Sequence, residues 1–316
     1  MSRQALRTAV IGVGYLGNFH AQKYAAIPGV ELVGVVDSDS KRAAEIASML
    51  GTVAFSDHRE LIGQVDAVSV VVPTNFHHAV ARDFLSNGVH VLIEKPITVT
   101  IAEADELIAL ADQNNVVFQV GHLERFNPVL VAAESILQKP LFIESVRIAP
   151  FKPRGTDVNV VLDLMIHDID IIQHIVKSPV ERIDAIGAPV FTGEEDIANA
   201  RILFESGCVA NVTASRISLK SERKMRIFQR DAYLTLDFQN RKVLVAKKGS
   251  GELFPGIPNV KVDEQELGQA DALLSEIESF ITAIREGKQP QVSGRDGRMA
   301  LETALKINQA LGRRIV

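Results

Sequence analysis

Thr8-Ala9-Val10-Ile11-Gly12-Val13-Gly14-Tyr15-Leu16-Gly17-Asn18-Phe19-His20 is the stretch on which the fold turns. Residues 8–13 form a short β-branched run tipped by glycine, which predicts a buried strand, and residues 16–26 follow as a helix ending before Pro28 and Gly29. Between them Gly12, Gly14 and Gly17 fit the G-x-G-x-x-G spacing. Gly12 suits a tight turn, Gly14 lets the backbone approach a pyrophosphate, and Gly17 permits close helix-to-strand packing. Tyr15 and Leu16 open the helix, whose free N–H groups and positive dipole end favour phosphate. A glycine turn that binds nothing has the same short spelling, so the context carries the weight. Asp37 stands at the tip of the second strand, 20 residues beyond Gly17. Its carboxylate can accept both ribose hydroxyls of NAD and would repel the 2'-phosphate of NADP. Lys41 and Arg42 nearby leave NADP disfavoured but not excluded.

Helices and strands then alternate. Residues 40–50 read as a helix and 66–72 as an apolar strand ended by Pro73. A helix capped by Thr74 or Asn75 runs to Asn87, 89–94 is a strand, 101–114 a helix and 116–120 a strand. Strands separated by helices imply parallel βαβ units, hence a doubly wound parallel sheet of Rossmann type over residues 1–121. Beyond it the pattern changes. Extended segments at 142–148, 183–190, 198–205, 208–215, 224–229, 232–237 and 242–247, joined by turns such as Glu205-Ser206-Gly207, predict an open, mainly antiparallel sheet. Helices are expected at 127–137, 160–176, 270–286 and 294–311, and a surface loop at 250–268, rich in Gly, Pro and acids. Residues 122–316 therefore read as an α+β domain.

A chain of 316 residues with 47% hydrophobic content can bury two cores. Its net charge of -5 gives no general attraction to nucleic acid or anionic lipid. No apolar run is long enough to span a bilayer. The single cysteine, Cys208, reads as a small buried hydrophobe and suits a reducing compartment, so the expected location is the cytoplasm.

Val91-Leu92-Ile93-Glu94-Lys95-Pro96 ends a Rossmann strand, and Asp163-Leu164-Met165-Ile166-His167-Asp168 lies in the second half. With the glycine-rich opening, these motifs resemble the glucose-fructose oxidoreductase, inositol dehydrogenase and MocA (Gfo/Idh/MocA) family over nearly the whole chain. The resemblance implies hydride transfer to or from a sugar-like alcohol carbon, an active site at the domain boundary, and a homodimer or homotetramer built through the C-terminal sheet. It also implies a cis peptide at Lys95-Pro96, and matches Lys95, Asp163 and His167 to the family's catalytic positions.

Those residue types suit the chemistry. Oxidising a secondary alcohol removes the hydroxyl proton while hydride leaves the same carbon for the nicotinamide, so a base must reach that oxygen. On a helix, Asp163 and His167, four apart, share one face, where the carboxylate can orient the imidazole or stabilise its charged form. His167 is read as the proton acceptor and Lys95 as the group that holds and polarises the oxygen, the reverse assignment staying open. Thr74, Asn75 and His77 are expected to line the cofactor crevice, and Glu94 to orient Lys95, neighbour the nicotinamide or cap the strand. Asp168, Asp170 and His174 are given structural roles. No further His, Cys, Asp or Glu set has ligand spacing, so no metal is expected.

Gly121-His122-Leu123-Glu124-Arg125-Phe126-Asn127-Pro128 resembles the run in family members that oxidise carbon 3 of UDP-N-acetylglucosamine or its uronic-acid relative. Arg125 and Asn127 are candidates for sugar contact, or else a salt bridge and a helix cap. A diphosphate also needs cations, for which Arg154, Arg216, Lys220, Arg223 and Lys224 are candidates. The competing readings are a dehydrogenase of a free cyclic polyol or sugar, and a dinucleotide-binding regulator without turnover. The presence of Lys95, Asp163 and His167 together argues against the regulator.

Overall fold

The computed structural model describes residues 5–151 and 158–312. They divide into two compact units, Met1–Leu123 with Asp271–Arg298, and Glu124–Ala270 with Met299–Val316.

In the first unit six strands, β1 (Leu6–Ile11), β2 (Val30–Val36), β3 (Val53–Phe55), β4 (Ala67–Val70), β5 (His90–Glu94) and β6 (Phe118–Gly121), form one sheet in the order β3-β2-β1-β4-β5-β6. Every pairing is parallel. Helices α1 (Tyr15–Ala26), α2 (Ser40–Leu50), α3 (Thr74–Leu85) and α4 (Ile101–Asn114) make the crossovers. Strands covered on both faces read as continuous apolar runs, as Ala67–Val70 does, because neither face meets water. The direction of strand succession reverses between β1 and β4. At that point the crevice beyond the strand ends is where such sheets take ligands.

The division differs from a boundary after residue 121. Helix α7 (Ala272–Glu286) and the segment to Arg298 belong to the first unit. Ile277, Phe280 and Ile281 pack with Val10, Val35 and Leu92. The Val120 N–H donates to the Val292 carbonyl at 3.0 Å, and Arg295 and Arg298 pair with Asp112 and Asp105 of α4. The amphipathic pattern of α7 announces a buried face without saying which sheet will bury it.

The second unit holds α5 (Pro128–Glu134), α6 (Ile166–Val176) and eight strands: β7 (Pro140–Ile148), β8 (Val180–Ala188), β9 (Ile197–Phe204), β10 (Val209–Ser215), β11 (Glu222–Gln229), β12 (Ala232–Asp237), β13 (Lys242–Phe254) and β14 (Ile257–Glu266). Their order is β14-β13-β12-β11-β7-β10-β9-β8, antiparallel except where β7 meets β10. Period-2 alternation sets the faces. Ala198, Ala200, Ile202 and Phe204 of β9 enter the core, while Asn199 and Arg201 face out. The last helix, α8 (Gly294–Gly312), gives the core Ala300, Ala304 and Ile307.

The expected loop over 250–268 is instead a hairpin, β13 with β14, turning at Pro255-Gly256 where Gly256 has φ +80°. Val243 and Val245 at its base are buried, but beyond Lys247 both faces meet solvent, with Val260 and Val262 exposed, so this part lacks the one-sided alternation that marks a strand in sequence.

Candidate active site

The three glycines of the first loop serve different needs. A Cβ on Gly12, at φ +87°, would lie 2.7 Å from the Val71 carbonyl oxygen, and one on Gly17 would lie 1.8 Å from the Gly12 carbonyl oxygen. Packing within the protein explains both. A Cβ on Gly14 would meet nothing within 4 Å, at an ordinary φ of -61°. No protein atom fills the space beside Gly14, and a pyrophosphate approaching the backbone fits it. Helix α1 starts at this point with no side-chain cap. Its first N–H groups are thus left for an anion, while Tyr15 stands exposed and Leu16 packs on the core below.

Asp37 closes the loop. One carboxylate oxygen accepts the Val13 N–H at 2.8 Å and the other the Asp39 N–H at 3.0 Å. Ser38 Oγ adds a long, exposed contact to the second oxygen at 3.5 Å, one that a ribose hydroxyl can displace. Arg42 donates to the Val13 carbonyl at 3.1 Å and to Glu45 at 3.2 Å, which ties its guanidinium to the loop and the helix.

Helix α3 begins directly at Thr74 and also lacks a side-chain cap, so Thr74 and Asn75 sit inside its first turn and neither caps it. His77 is buried, with Nδ1 2.9 Å from the Pro96 carbonyl and Nε2 2.9 Å from the Val72 carbonyl. Burial pushes its pKa down from the usual range, and the neutral ring donates to one carbonyl at a time. Instead of facing a ligand, this ring joins the segment after β4 to the segment after β5, where Lys95 lies. The Lys95-Pro96 peptide is cis, and the Lys95 N–H donates to Glu94 Oε2 at 3.3 Å. Glu94 Oε1 lies 3.3 Å from His20 Nε2. Although burial acts to raise it, the Glu94 carboxyl sits below its ordinary range because His20 and Lys95 favour its charged form. Glu276 joins this cluster, with one ligand atom from each of His20, Glu94 and Glu276 mutually within 4.8 Å. No local spacing announces that set, because Glu276 arrives on α7.

In the second unit the expected single helix starts with a π turn, Val161–Met165, in which the Ile166 N–H reaches back to the Val161 carbonyl. Asp163 lies in that turn and His167 in the first turn of α6, both half-buried. Such turns recur at functional sites, and this one changes the one-face geometry expected from a uniform helix. Below them Asp168 and Asp170 are buried in ion pairs. Arg147 Nε donates to Asp168 at 2.8 Å and its Nη1 to Glu124 at 2.9 Å, while Arg125 Nε donates to Asp170 at 2.8 Å. Burial alone would lower the Arg147 pKa, but its two carboxylate partners hold it well above the usual value.

These pairs correct part of the substrate assignment. Arg125 is buried against Asp170, and Asn127 caps α5 through the Val129 N–H at 3.1 Å while donating to Glu124 at 2.9 Å. Arg216 is buried too, donating to Asp196 at 2.8 Å, to Thr192 Oγ1 at 2.9 Å and to the Val158 carbonyl. All three are held by partners within the second unit, which for Arg125 and Asn127 is the salt bridge and helix cap of the alternative reading. Lys220 is exposed and pairs with Glu222 at 2.7 Å, Arg223 is half-exposed, and Arg154 lies outside the described residues.

A parallel sheet of order 3-2-1-4-5-6, with an open glycine cradle and an acidic second-strand tip at its reversal point, defines a dinucleotide-binding α/β protein. Residues 6–122 match the family described as oxidoreductase family, NAD-binding Rossmann fold, and residues 150–235 match the Gfo/Idh/MocA C-terminal domain. The chain belongs to the Gfo/Idh/MocA family of NAD-binding oxidoreductases. It is 42% identical over 307 residues to UDP-N-acetylglucosamine 3-dehydrogenase of Acidithiobacillus ferrooxidans, covering 97% of each chain. A solved structure of that enzyme superposes with a TM-score of 0.93 at 41% identity over 98% of each chain. The NAD(+)-dependent scyllo-inositol 2-dehydrogenase of Bacillus subtilis is 28% identical, over 95% of this chain and 92% of that one. Among the described residues no helix is long and apolar enough to cross a membrane.

Proposed function

We propose that this chain oxidises carbon 3 of UDP-N-acetylglucosamine to the 3-keto sugar nucleotide, with NAD as hydride acceptor in preference to NADP. The observation that carries the reading is its 42% identity, over nearly the full length of both chains, to an enzyme named for that reaction, against 28% for an inositol dehydrogenase. NAD, when bound, supplies the acceptor carbon. Gly14 leaves room for its pyrophosphate, Asp37 takes its ribose hydroxyls, and the α1 and α3 N-termini offer N–H groups. His167 takes the hydroxyl proton, Asp163 stabilises the resulting imidazolium, and Lys95 holds and polarises the sugar oxygen. Lys220 and Arg223 are the accessible cations for the diphosphate. The protein acts in the cytoplasm as a dimer or tetramer. The outward face of the second sheet, with its Phe142, Phe228 and Tyr233 cluster, supports an interface there.

The test is incubation with NAD+ and a panel of UDP-sugars and free polyols, following the absorbance of the reduced cofactor. Reduction with UDP-N-acetylglucosamine is expected. Reduction with a polyol and with no UDP-sugar would move the assignment to the free-sugar branch, and reduction with none would favour a dinucleotide-binding regulator.

A further inference from the structure

The Rossmann unit buries a chain of polar groups that ends beside Lys95. Tyr24 OH lies 2.9 Å from Ser69 Oγ, Ser69 Oγ 3.1 Å from His20 Nδ1, and His20 Nε2 3.3 Å from Glu94 Oε1. Taken from Tyr24 towards Glu94, each hydroxyl and the ring N–H donates once, and the chain ends on a carboxylate. Glu94 in turn accepts the Lys95 N–H. Glu276 stands outside this chain of donors. It is fully buried, and neither of its carboxyl oxygens has a hydrogen-bond partner among the described residues. Its nearest groups are engaged elsewhere: Glu94 and His20, each with an atom within 4.8 Å, pair with one another, and the amide of β6 residue Gln119 donates at 3.1 Å to the Glu276 main-chain carbonyl, leaving its own Oε1 buried without a partner among the described residues. An ionised Glu276 would be a second buried negative charge facing the first, with nothing to solvate it. One retained proton removes that charge and gives Glu276 a hydrogen to offer the Glu94 carboxylate.

We propose that Glu276 is a positioning residue that keeps its proton in the native protein and donates it to Glu94, fixing the carboxylate that holds the Lys95 backbone. Burial, and then the charge of Glu94, push the Glu276 carboxyl well above the ordinary carboxylate range, in agreement with the geometry. The charged and titratable groups facing it are Glu94, His20 and Tyr24, with Lys95 beyond Glu94, and the two carboxyls titrate as a pair that carries one proton. The consequence for turnover rests on the role proposed for Lys95; the retained proton does not.

Infrared spectroscopy of wild type minus Glu276→Gln at neutral pH reads the proton directly. The expected result is a protonated carboxylic acid C=O band in wild type that is lost in the variant. Native Glu276 keeps a proton that the unfolded chain releases, so wild type loses stability relative to Glu276→Gln as pH rises through the ordinary carboxylate range and on to the raised native value. Glu276→Leu, which removes the donor, lowers kcat by up to about tenfold, and Glu276→Gln, which keeps a donor in place, recovers most of it. Absence of the band overturns the proposal, whether Glu276 is then ionised alone or the three side chains hold a stoichiometric divalent cation. A stability difference that does not change with pH also overturns it. A normal band with an unchanged kcat in Glu276→Leu overturns the positioning role and leaves the proton in place.

Discussion

Alanine placed at each of the three loop glycines separates what the fold needs from what the cofactor needs. At Gly17 the new methyl would lie 1.8 Å from one backbone oxygen and 2.9 Å from its carbon, so α1 must move away from β1. Overpacking of that kind costs about 1–3 kcal/mol or more, which in a unit of this size lowers Tm by roughly 3–10 °C. Gly12→Ala adds the strain of a left-handed φ, about 1–2 kcal/mol, to a 2.7 Å approach to Val71, and falls in the same range or beyond. Gly14→Ala meets no protein atom within 4 Å, so its Tm without cofactor stays near wild type. Its methyl instead occupies the space left for the pyrophosphate. A cost of about 1–3 kcal/mol there weakens NAD binding by roughly 5- to 150-fold. Thermal unfolding without cofactor and calorimetric titration with NAD read the two effects separately. A Gly14→Ala protein that binds NAD with wild-type affinity, or that loses as much Tm as Gly17→Ala, would show that the open space at Gly14 is not the pyrophosphate's.

Lys95→Ala and His167→Ala should each lose turnover while NAD affinity stays within a few fold, measured by steady-state kinetics beside calorimetry; near-normal kcat in both contradicts their assigned roles. Arg147→Met leaves the buried Glu124 and Asp168 carboxylates without their guanidinium and should cost about 3–5 kcal/mol in denaturant unfolding, whereas a loss below about 1 kcal/mol would show the pair to be solvated. Burial acts to raise the Asp196 carboxyl, yet the Phe191, Thr192 and Val190 N–H groups and Arg216 hold it far below the ordinary range. Its stabilising effect is therefore complete above about pH 5 and is lost progressively as pH falls further. Asp196→Asn should flatten the acid limb of the stability profile, and an acid limb identical to wild type contradicts that origin.

The first unit was legible because its signals are local. Buried parallel strands spell apolar runs, and Gly17 and Asp37 answer to contacts within one βαβ unit, Gly12 alone to the Val71 backbone after β4. What escaped depends on distant partners. Glu276 and the rest of α7 carry an amphipathic pattern that fits either unit, and only contacts with Val10, Val35 and Leu92 decide between them. Arg125 and Arg216 looked like anion-binding arginines because their carboxylates stand 45 and 20 residues away. A usable signal did exist for Arg147: in β7 it shares parity with Ile143 and Ser145, so a charge there points inward and demands a partner. The π turn across Asp163 has no residue signature, and the i, i+4 reasoning assumed a uniform helix.

Hydride transfer from carbon 3 is the centre of the account, and UDP-N-acetylglucosamine carrying deuterium at that carbon tests it most directly. Mass spectrometry should find the deuterium on the reduced nicotinamide and the released sugar nucleotide as the 3-ketone. Reduced cofactor without deuterium, or a keto product that keeps deuterium on carbon 3, would contradict it.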